Sequence, residues 1–269
     1  MDTRAARRTR LAAVALSAFA LSVGSLLPAG AAPPSFTYDA LGDSFAAGDG
    51  VGASQAYPDV LDGRMRIALD DLAAVPGATV PSMMGQLGAL DADTDLVTIS
   101  IGGNDIGWGQ VVLACLVQPD QACAGAVEQV KQAITAGLPG LLDGAYAQVR
   151  AAAPEAHVVV TGYPRLFSPE YGSYVVPFSP TIALEATVAE QQLMNGAADV
   201  LNVTIREVAE AHGFQFVDVT QRFEGHGVNS PEAYLFGVLA PVPFHPTVDG
   251  QHEYGVALRS QINPDSLRR

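Results

Sequence analysis

The side chain best suited to covalent chemistry in this sequence is Ser44, which follows Gly42 and Asp43 at the end of an apolar segment. A serine hydroxyl becomes a nucleophile only when a general base and donors for the developing oxyanion lie beside it. A serine in such a turn can also simply cap the following helix, and the Gly-Asp-Ser turn alone favours that structural role. The rest of the chain must therefore supply a base and an oxyanion site.

A general base for this serine is sought first among the histidines, the side chains that most often exchange protons near neutral pH. The sequence contains His157, His212, His226, His245 and His252. His245 stands in the segment Pro243-Phe244-His245-Pro246, where the prolines stiffen the chain just before a predicted helix. That context favours His245, but from the residues alone it is one candidate among five.

Two further positions could donate hydrogen bonds to an oxyanion. Asn104 follows Gly102-Gly103 at the end of an apolar segment, so its amide could reach a crevice beside the serine. Gly77, in the run Val75-Pro76-Gly77-Ala78-Thr79, could present a bare backbone N–H. Each has an ordinary alternative as a turn residue. If they act as oxyanion donors, each is worth about 10²–10³ in rate.

These candidates need a scaffold that brings distant parts of the chain together, and the hydrophobic pattern predicts one. Apolar, β-rich segments cover Phe36–Leu41, Ile67–Ala73, Leu96–Ile101, His157–Gly162 and Phe214–Val219. Helical periodicity covers Tyr57–Met65, Val80–Leu90, Ala124–Ala153, Thr181–His212 and a last helix at about 249–262. Because parallel strands need long crossover connections, this alternation predicts an α/β fold with three layers, α/β/α, around a five-stranded parallel sheet.

The expected strand order is the flavodoxin-like 2-1-3-4-5, in which ligands bind at the carboxyl ends of strands 1 and 3. Ser44 follows strand 1 and Asn104 follows strand 3, so two polar turns would face one crevice. Pro139-Gly140 is expected to interrupt the third helical stretch, which would then be two helices or one kinked helix. The segment Phe223–Phe244 has scattered glycines and prolines and is predicted to be a long ordered loop of the kind that usually has a function.

The first 31 residues are predicted to be a secretory signal peptide and not part of the fold. Arginines precede an apolar run from Leu11 to Leu27, and Ala29-Gly30-Ala31 supplies the small residues that a signal peptidase reads. We expect cleavage after Ala31, secretion by either the Sec or the twin-arginine route, and a mature chain of residues 32–269 with one domain. We expect no membrane-spanning segment in the mature chain, since its apolar stretches are too short.

Charge and cysteine content restrict the possible partners. The formal net charge of −14 becomes −17 when residues 1–31, with their four arginines and Asp2, are removed. Such an acidic surface repels phosphate backbones and anionic membranes, so we expect no nucleic acid partner. In an exported protein Cys115 and Cys123 are expected to form one disulfide in a loop-like segment; a metal site would want more ligands, and no histidine lies nearby.

Four separated blocks, in this order along the chain, resemble the GDSL, or SGNH, hydrolase family. They are Gly42-Asp43-Ser44-Phe45, Gly77 within Pro-Gly-Ala-Thr, Gly102-Gly103-Asn104-Asp105, and His245-Pro246 followed by Gly250. Within the family, the chain resembles the secreted lipases and esterases of actinobacterial type. The resemblance covers nearly the whole predicted mature chain, and it implies the SGNH hydrolase fold.

The resemblance implies that Ser44 is the nucleophile and that His245 is the general base, which later protonates the leaving group. It also implies an oxyanion hole made by the N–H groups of Ser44 and Gly77 together with the amide of Asn104. The expected reaction is hydrolysis of a carboxylic ester, from an acyl lipid or phospholipid, through an acyl-enzyme. No cofactor or metal is expected, and we expect a monomer.

The chain departs from the family pattern at two places. Many members have an aspartate three residues before the histidine, but here Val242 stands at that position. We therefore predict that the Val242 carbonyl accepts from His245 Nδ1–H, a Ser–His dyad in place of a triad. Similar secreted enzymes tend to carry three disulfides, whereas this chain has one cysteine pair and has Asn229 at a usual cysteine position. The rigidity of the loops near the site is therefore in question.

Two other functions remain open at this point. A carbohydrate acetyl esterase would use the same serine chemistry on a smaller acyl group, and a secreted binding module could keep the fold without turnover. Trp108, Tyr163 and Phe167 lie near the predicted crevice and favour an acyl-chain substrate, although each could equally be a core residue.

Overall fold

The structure, a computed structural model, describes residues 35–117 and 120–267, so the predicted signal peptide 1–31 lies outside the described residues. The strands are β1 (Phe36–Gly42), β2 (Ile67–Leu72), β3 (Leu96–Ser100), β4 (His157–Thr161), β5 (Tyr174–Ser179), β6 (Ile182–Ala186) and β7 (Gln215–Val217). The helices are α1 (Ser44–Ala47), α2 (Tyr57–Leu61), α3 (Val80–Met83), α4 (Trp108–Val117), α5 (Asp120–Ala136), α6 (Leu138–Ala152), α7 (Val188–Ala211), α8 (Thr220–Phe223) and α9 (Val248–Gln261).

Five of the strands form one parallel sheet in the order β2-β1-β3-β4-β7. In chain order these are strands 2-1-3-4-5, so the predicted topology is confirmed. The central strand β3 is buried at every position, as expected of a parallel strand that is covered on both faces. The register pairs Gly42 with Ser100, which brings the carboxyl ends of β1 and β3 together at one edge.

The helices cover this sheet in two groups, which confirms the predicted α/β/α layers. In one group α2 packs against α9; in the other, α5 packs against α4 and α7, and α6 packs against α7. The apolar face of α5 shows why this segment is helical. Val127, Val130 and Ile134 are buried there at spacings of three and four residues, the repeat that one face of a helix requires.

The helix predicted from Thr181 to His212 begins later than expected, and a hairpin takes the place of its first turns. Strands β5 and β6 pair antiparallel, and α7 begins only at Val188. Within β6, Leu184 and Ala186 are buried while their neighbours are exposed, which is the period of two that a strand requires. The sequence-based prediction missed this alternation because the stretch is short and the helical periodicity of α7 follows it directly.

The helical stretch Ala124–Ala153 belongs to two helices, one of the two forms expected, but the interruption precedes Pro139-Gly140. Helix α5 ends at Ala136, and Pro139 lies in the first turn of α6. Proline is tolerated there because N–H groups in the first turn of a helix have no acceptor within the helix. A further helix, α4, was not predicted.

Cys115 and Cys123 form the predicted disulfide, but the expectation that it lies in a loop is wrong. Cys115 belongs to α4 and Cys123 to α5, and both side chains are buried. Val111, Val112 and Leu116 are also buried on α4, so the segment packs as a helix against the core. The bond therefore joins two helices.

The long loop predicted after Phe223 is present and ordered by pairing within itself. Its two arms meet at an isolated antiparallel bridge between Leu235 and Pro246. Within the described part of the chain, no helix combines the length and the apolar character that a bilayer crossing needs.

Candidate active site

Ser44 is placed by the close approach of β1 to β3. Gly42 has a φ of +132°, and a Cβ at this position would collide with the Ser100 backbone, so only glycine fits. The Asp43 N–H donates to the Ser100 carbonyl at 2.8 Å, which turns the chain out of the sheet. Asp43 then caps α1 by accepting from the Phe45 N–H, and Ser44 becomes the first residue of that helix.

A buried glutamine holds the same turn from the other side. The side-chain amide of Gln86 accepts from the Gly42 N–H at 2.7 Å and donates to the Gly42 carbonyl at 2.8 Å. Gln251 of α9 makes a comparable link, since its amide donates to the Phe45 carbonyl at 3.0 Å and accepts from the Tyr57 N–H at 2.8 Å. The turn that carries Ser44 is thereby fixed by partners far away in the sequence.

His245 is held by a short antiparallel ladder within the long loop. The Phe244 N–H donates to the Phe236 carbonyl, the Phe236 N–H donates to the His245 carbonyl, and both distances are 2.8 Å. Phe244 has a φ of +63°, a backbone conformation that costs a bulky residue energy and that the surrounding pairing must maintain. The His245 ring packs against Phe45, with ring centroids 5.4 Å apart.

The structure brings Ser44 and His245 together across 201 residues of sequence, with Oγ and Nε2 at 2.8 Å. His245 Nδ1 lies 2.9 Å from the backbone carbonyl oxygen of Pro243. Because a carbonyl can only accept, this contact assigns the proton to Nδ1 and leaves Nε2 free to accept from the serine hydroxyl.

The prediction that Val242 supplies the carbonyl for Nδ1 is wrong by one residue. The acceptor is the carbonyl of Pro243, two residues before the histidine. The left-handed conformation of Phe244 turns the chain sharply between them, which folds the Pro243 carbonyl back toward the ring. A backbone acceptor at this place was expected; only its residue was misassigned.

Asn104 lines the same pocket as Ser44, and its amide reaches the loop that carries Gly77. Asn104 Nδ2 donates to the Ala78 carbonyl at 2.9 Å, which leaves the second amide hydrogen for another acceptor. Among residues 35–117 and 120–267, the backbone N–H groups of Ser44 and Gly77 donate to no protein acceptor. Gly77 has a φ of +78°, which explains the glycine. All three groups predicted for the oxyanion hole thus retain a hydrogen to donate.

A buried carboxyl directly beneath the serine was not recognised in the sequence. Asp43 is 1% exposed, accepts from Ser100 Oγ at 3.1 Å, and accepts a short hydrogen bond from Tyr163 Oη. Burial raises the pKa of Asp43 from 3.8 to about 6, against the lowering effect of these hydrogen bonds. Burial also raises the pKa of Tyr163 well above 10, so the phenol stays protonated and donates to Asp43. Tyr163 lies 120 residues away, and no local pattern indicates this pairing.

The serine opens into a pocket of about 720 Å³, within the usual size range of ligand pockets. Its apolar lining includes Trp108, Val112, Leu116, Leu166, Leu201 and Phe244. Trp108 and Tyr163 line this pocket, as predicted from their place near the crevice. Phe167 does not line it; it is buried in the core behind Phe244, with ring centroids 6.2 Å apart.

A separate group of carboxylates, outside this pocket, offers the geometry of a metal site. Asp39, Asp70 and Asp71 place ligand oxygens within 4.8 Å of one another at the β1–β2 edge. Asp39 is already engaged, since it accepts from Thr94 Oγ1 at 2.6 Å and from the Asp71 N–H at 3.1 Å. The carboxylate therefore serves the packing of the sheet.

Asn229, where the family resemblance led us to expect a cysteine, connects two loops by hydrogen bonds. Its Oδ1 accepts from the Ser168 N–H at 2.8 Å, and its Nδ2 donates to the Ser168 carbonyl at 2.8 Å and to the Gly172 carbonyl at 3.0 Å. A non-covalent link thus connects the long loop to the segment after β4.

Comparison with known proteins gives one consistent result. Residues 40–252 match the model of the GDSL-like Lipase/Acylhydrolase family. Lipase 1 of Streptomyces coelicolor is 35% identical over 91% of this chain and 95% of its own length. The crystal structure of an extracellular lipase from Streptomyces rimosus is similar with a TM-score of 0.75 at 31% identity, covering 85% of this chain and all of that one. The phospholipase A1 of Streptomyces albidoflavus NA297 gives a TM-score of 0.73 at 33% identity, with coverage of 85% and 100%.

Proposed function

Since the chain belongs to the GDSL-like lipase/acylhydrolase family and is a carboxylic ester hydrolase, we propose that Ser44 is its nucleophile and His245 its general base. The observation that carries this proposal is the 2.8 Å contact between Ser44 Oγ and His245 Nε2 at the mouth of an apolar pocket. A nucleophile in hydrogen-bond reach of a base, itself oriented by a third group, is the arrangement that acyl transfer requires.

In the first half of the reaction, Nε2 takes the hydroxyl proton as Ser44 Oγ attacks the ester carbonyl carbon. The tetrahedral intermediate collapses by breaking the bond to the alcohol oxygen, which leaves with the proton from His245 Nε2. In the second half, His245 takes a proton from water, and the resulting hydroxide attacks the acyl carbon. The second tetrahedral intermediate collapses by breaking the bond between the acyl carbon and Ser44 Oγ, Oγ takes the proton from His245 Nε2, and the fatty acid is released.

We propose that the N–H groups of Ser44 and Gly77 and the Asn104 amide donate hydrogen bonds to the negatively charged oxygen of both tetrahedral intermediates. The availability of these donors supports the assignment, as does the link from Asn104 to the Gly77 loop through the Ala78 carbonyl. Preorganised donors of this kind usually contribute the largest single share of catalysis. The Pro243 carbonyl has the orienting role that an aspartate has in a triad, with weaker stabilisation of the imidazolium, because a carbonyl has no net charge.

The pocket supports an acyl-lipid substrate over an acetylated sugar. Side chains such as Leu166, Leu201 and Phe244 line it, and they offer an acyl chain burial worth about 0.8 kcal/mol per methylene. An acetyl group would fill little of about 720 Å³. The lipase of S. rimosus and the phospholipase A1 of S. albidoflavus are similar in fold and sequence, and we propose the same broad substrate class here.

We further propose that the enzyme is secreted and acts as a monomer. The predicted signal peptide at residues 1–31 and the similarity to an extracellular lipase support export. Ser44, Asn104 and His245 all come from one chain, so a complete site needs no second subunit.

The test is a panel of p-nitrophenyl esters from acetate to decanoate, measured beside acetylated xylose oligomers. We expect turnover of the p-nitrophenyl esters with kcat/KM rising with chain length, and none with the Ser44→Ala variant. Equal activity of wild type and Ser44→Ala would refute the assignment of Ser44 as the nucleophile. A preference for acetylated sugars would show that the enzyme is a carbohydrate esterase.

A further inference from the structure

Helix α4 exposes an apolar face to solvent at the mouth of the ester pocket. Leu113 is 58% exposed and Val117 is 54% exposed, four residues apart on the outward side of the helix. The ten residues from Trp108 to Val117 include no charged side chain. A surface helix of a globular protein normally places charged and polar residues on its outer face. The outer face of α4 therefore does not have the composition of an ordinary solvated helix.

The β5–β6 hairpin continues this apolar surface. Phe178 and Ile182, near its turn, are 62% and 55% exposed. Tyr174 and Leu184 lie farther from the turn and are buried, so the hairpin is anchored at its base while the apolar side chains near its turn are exposed. Between residues 174 and 186 the only charged side chain is Glu185.

The two elements form one continuous surface beside the active site. Helix α4 packs against β6, and Val117 and Ile182 line the same shallow hollow together with Leu116. Leu116 and Leu113 also line the pocket that contains Ser44. We call the exposed side chains of Leu113, Val117, Phe178 and Ile182 the docking face.

We propose that the docking face binds the surface of an uncharged or zwitterionic lipid aggregate. The opening of the ester pocket is then held against the lipid that contains the substrate. This inference rests on the proposed function for the identity of that substrate. Exposed apolar patches of this kind mark interaction sites, and apolar side chains enter the boundary between head groups and acyl chains. A protein partner or a second copy seated here would lie across the pocket mouth.

Charge decides between kinds of lipid surface. Attraction to an anionic surface needs a cluster of lysines and arginines, and neither α4 nor the hairpin contains one. The chain as a whole has a formal net charge of −14, which adds repulsion from anionic lipid. Binding must therefore come from apolar burial, and a phosphatidylcholine surface is the appropriate probe.

The experiment separates binding from turnover. In a Ser44→Ala background, the triple variant Val117→Gln, Phe178→Thr, Ile182→Thr is compared with its parent for partition onto phosphatidylcholine vesicles by co-sedimentation. None of these three residues lines the ester pocket, and the replacements suit a helix and strands. We expect the vesicle partition coefficient to fall by about tenfold or more, because three apolar contacts are lost. The control, Leu141→Gln with Val203→Gln, removes exposed apolar side chains of α6 and α7 and should bind like its parent.

With Ser44 restored, the triple variant should hydrolyse soluble p-nitrophenyl acetate at the wild-type rate. Unchanged vesicle binding by the triple variant would overturn the proposal, as would tighter binding of the parent to phosphatidylglycerol than to phosphatidylcholine. A wild-type dimer that the triple variant abolishes in sedimentation velocity would show that a second copy occupies the face. Absent acetate turnover by the wild type would refute the proposed function alone, since vesicle binding is measured without turnover.

Discussion

His245 Nδ1 lies 2.9 Å from the carbonyl oxygen of Pro243, so the imidazole is oriented by its own backbone and not by a carboxylate. The arrangement depends on Phe244, whose φ of +63° brings the carbonyl and the ring of residues two apart into contact. Conformations of this kind cost roughly 1–3 kcal/mol, and the pairing of the loop with Phe236 maintains this one.

The first prediction follows from this contact. Asp249→Asn and Asp218→Asn should keep kcat/KM within about threefold of wild type, since neither carboxylate orients the histidine. His245→Ala should lower kcat/KM by at least about 10³-fold, because the serine loses its base. Steady-state kinetics on p-nitrophenyl butyrate measures all three. A loss in either asparagine variant as large as that in His245→Ala would mean that a carboxylate orients the ring after all.

The second prediction concerns the oxyanion hole. Asn104→Ala should lower kcat by about 10²–10³ with little change in KM, because the amide acts on charge that develops only in the transition state. Asn104 is exposed, so thermal unfolding should be almost unchanged and serves as the control. A raised KM at unchanged kcat would instead assign Asn104 to substrate binding.

The third prediction uses the raised pKa of Asp43, from 3.8 to about 6, caused by burial. Between these pH values the folded state binds more protons than the unfolded state, so the contribution of Asp43 to stability falls as pH rises through about 6. The free energy of unfolding of wild type relative to Asp43→Asn should therefore decrease by up to roughly 3 kcal/mol from pH 4 to pH 7.

Denaturant unfolding at several pH values measures this difference. The exposed Asp93→Asn is the matched control, and its curve should run parallel to that of wild type. A wild-type advantage that grows with pH would mean that the folded protein prefers the Asp43 carboxylate, contrary to the effect of burial.

The fourth prediction tests the acyl pocket. Ala198 of α7 is buried and lines it, so Ala198→Phe should occupy space that a long chain needs. We expect the ratio of kcat/KM for p-nitrophenyl decanoate to kcat/KM for p-nitrophenyl acetate to fall by about tenfold or more. Losing the contact of a single methylene group with an apolar pocket already changes kcat/KM by about this factor. Ala211→Phe, exposed at the end of the same helix, is the control. A proportional loss on both esters would indicate damage to the catalytic groups and not a filled pocket.

The fifth prediction concerns the loop that Asn229 ties down. Asn229→Ala leaves the Ser168 N–H without its acceptor. It also removes the hydrogen bonds that the Asn229 amide donates to the backbone carbonyls of Ser168 and Gly172. Thermal or denaturant unfolding should show a loss of about 1–3 kcal/mol, the cost of leaving a buried polar group unpaired. An unchanged stability would mean that water replaces these bonds and that the link does not brace the loop.

Much of the scaffold was predictable because its signals are local. The strands β1, β3 and β4 are almost wholly buried and mainly apolar, and the crossover helices between the strands limit the topology to few alternatives. The hairpin β5–β6 was not predicted, because the alternation of buried and exposed residues in β6 spans only five residues before the periodicity of α7 begins. Helix α4 escaped because its outer face is apolar and so lacks the amphipathic contrast by which a surface helix is recognised.

By itself, then, the sequence determined the α/β class and the turns that hold Ser44 and Asn104, since hydrophobic periodicity and glycine turns act over a few residues. The strand order was expected from the flavodoxin-like pattern, and the structure was needed to establish it. Only the tertiary structure decided that Pro243 orients His245, that Tyr163 pairs with Asp43, and that the exposed residues of α4 adjoin those of the hairpin. These relations join groups through the folding of a loop or across 120 residues, and a hydrogen bond depends on positions in space that no local pattern records.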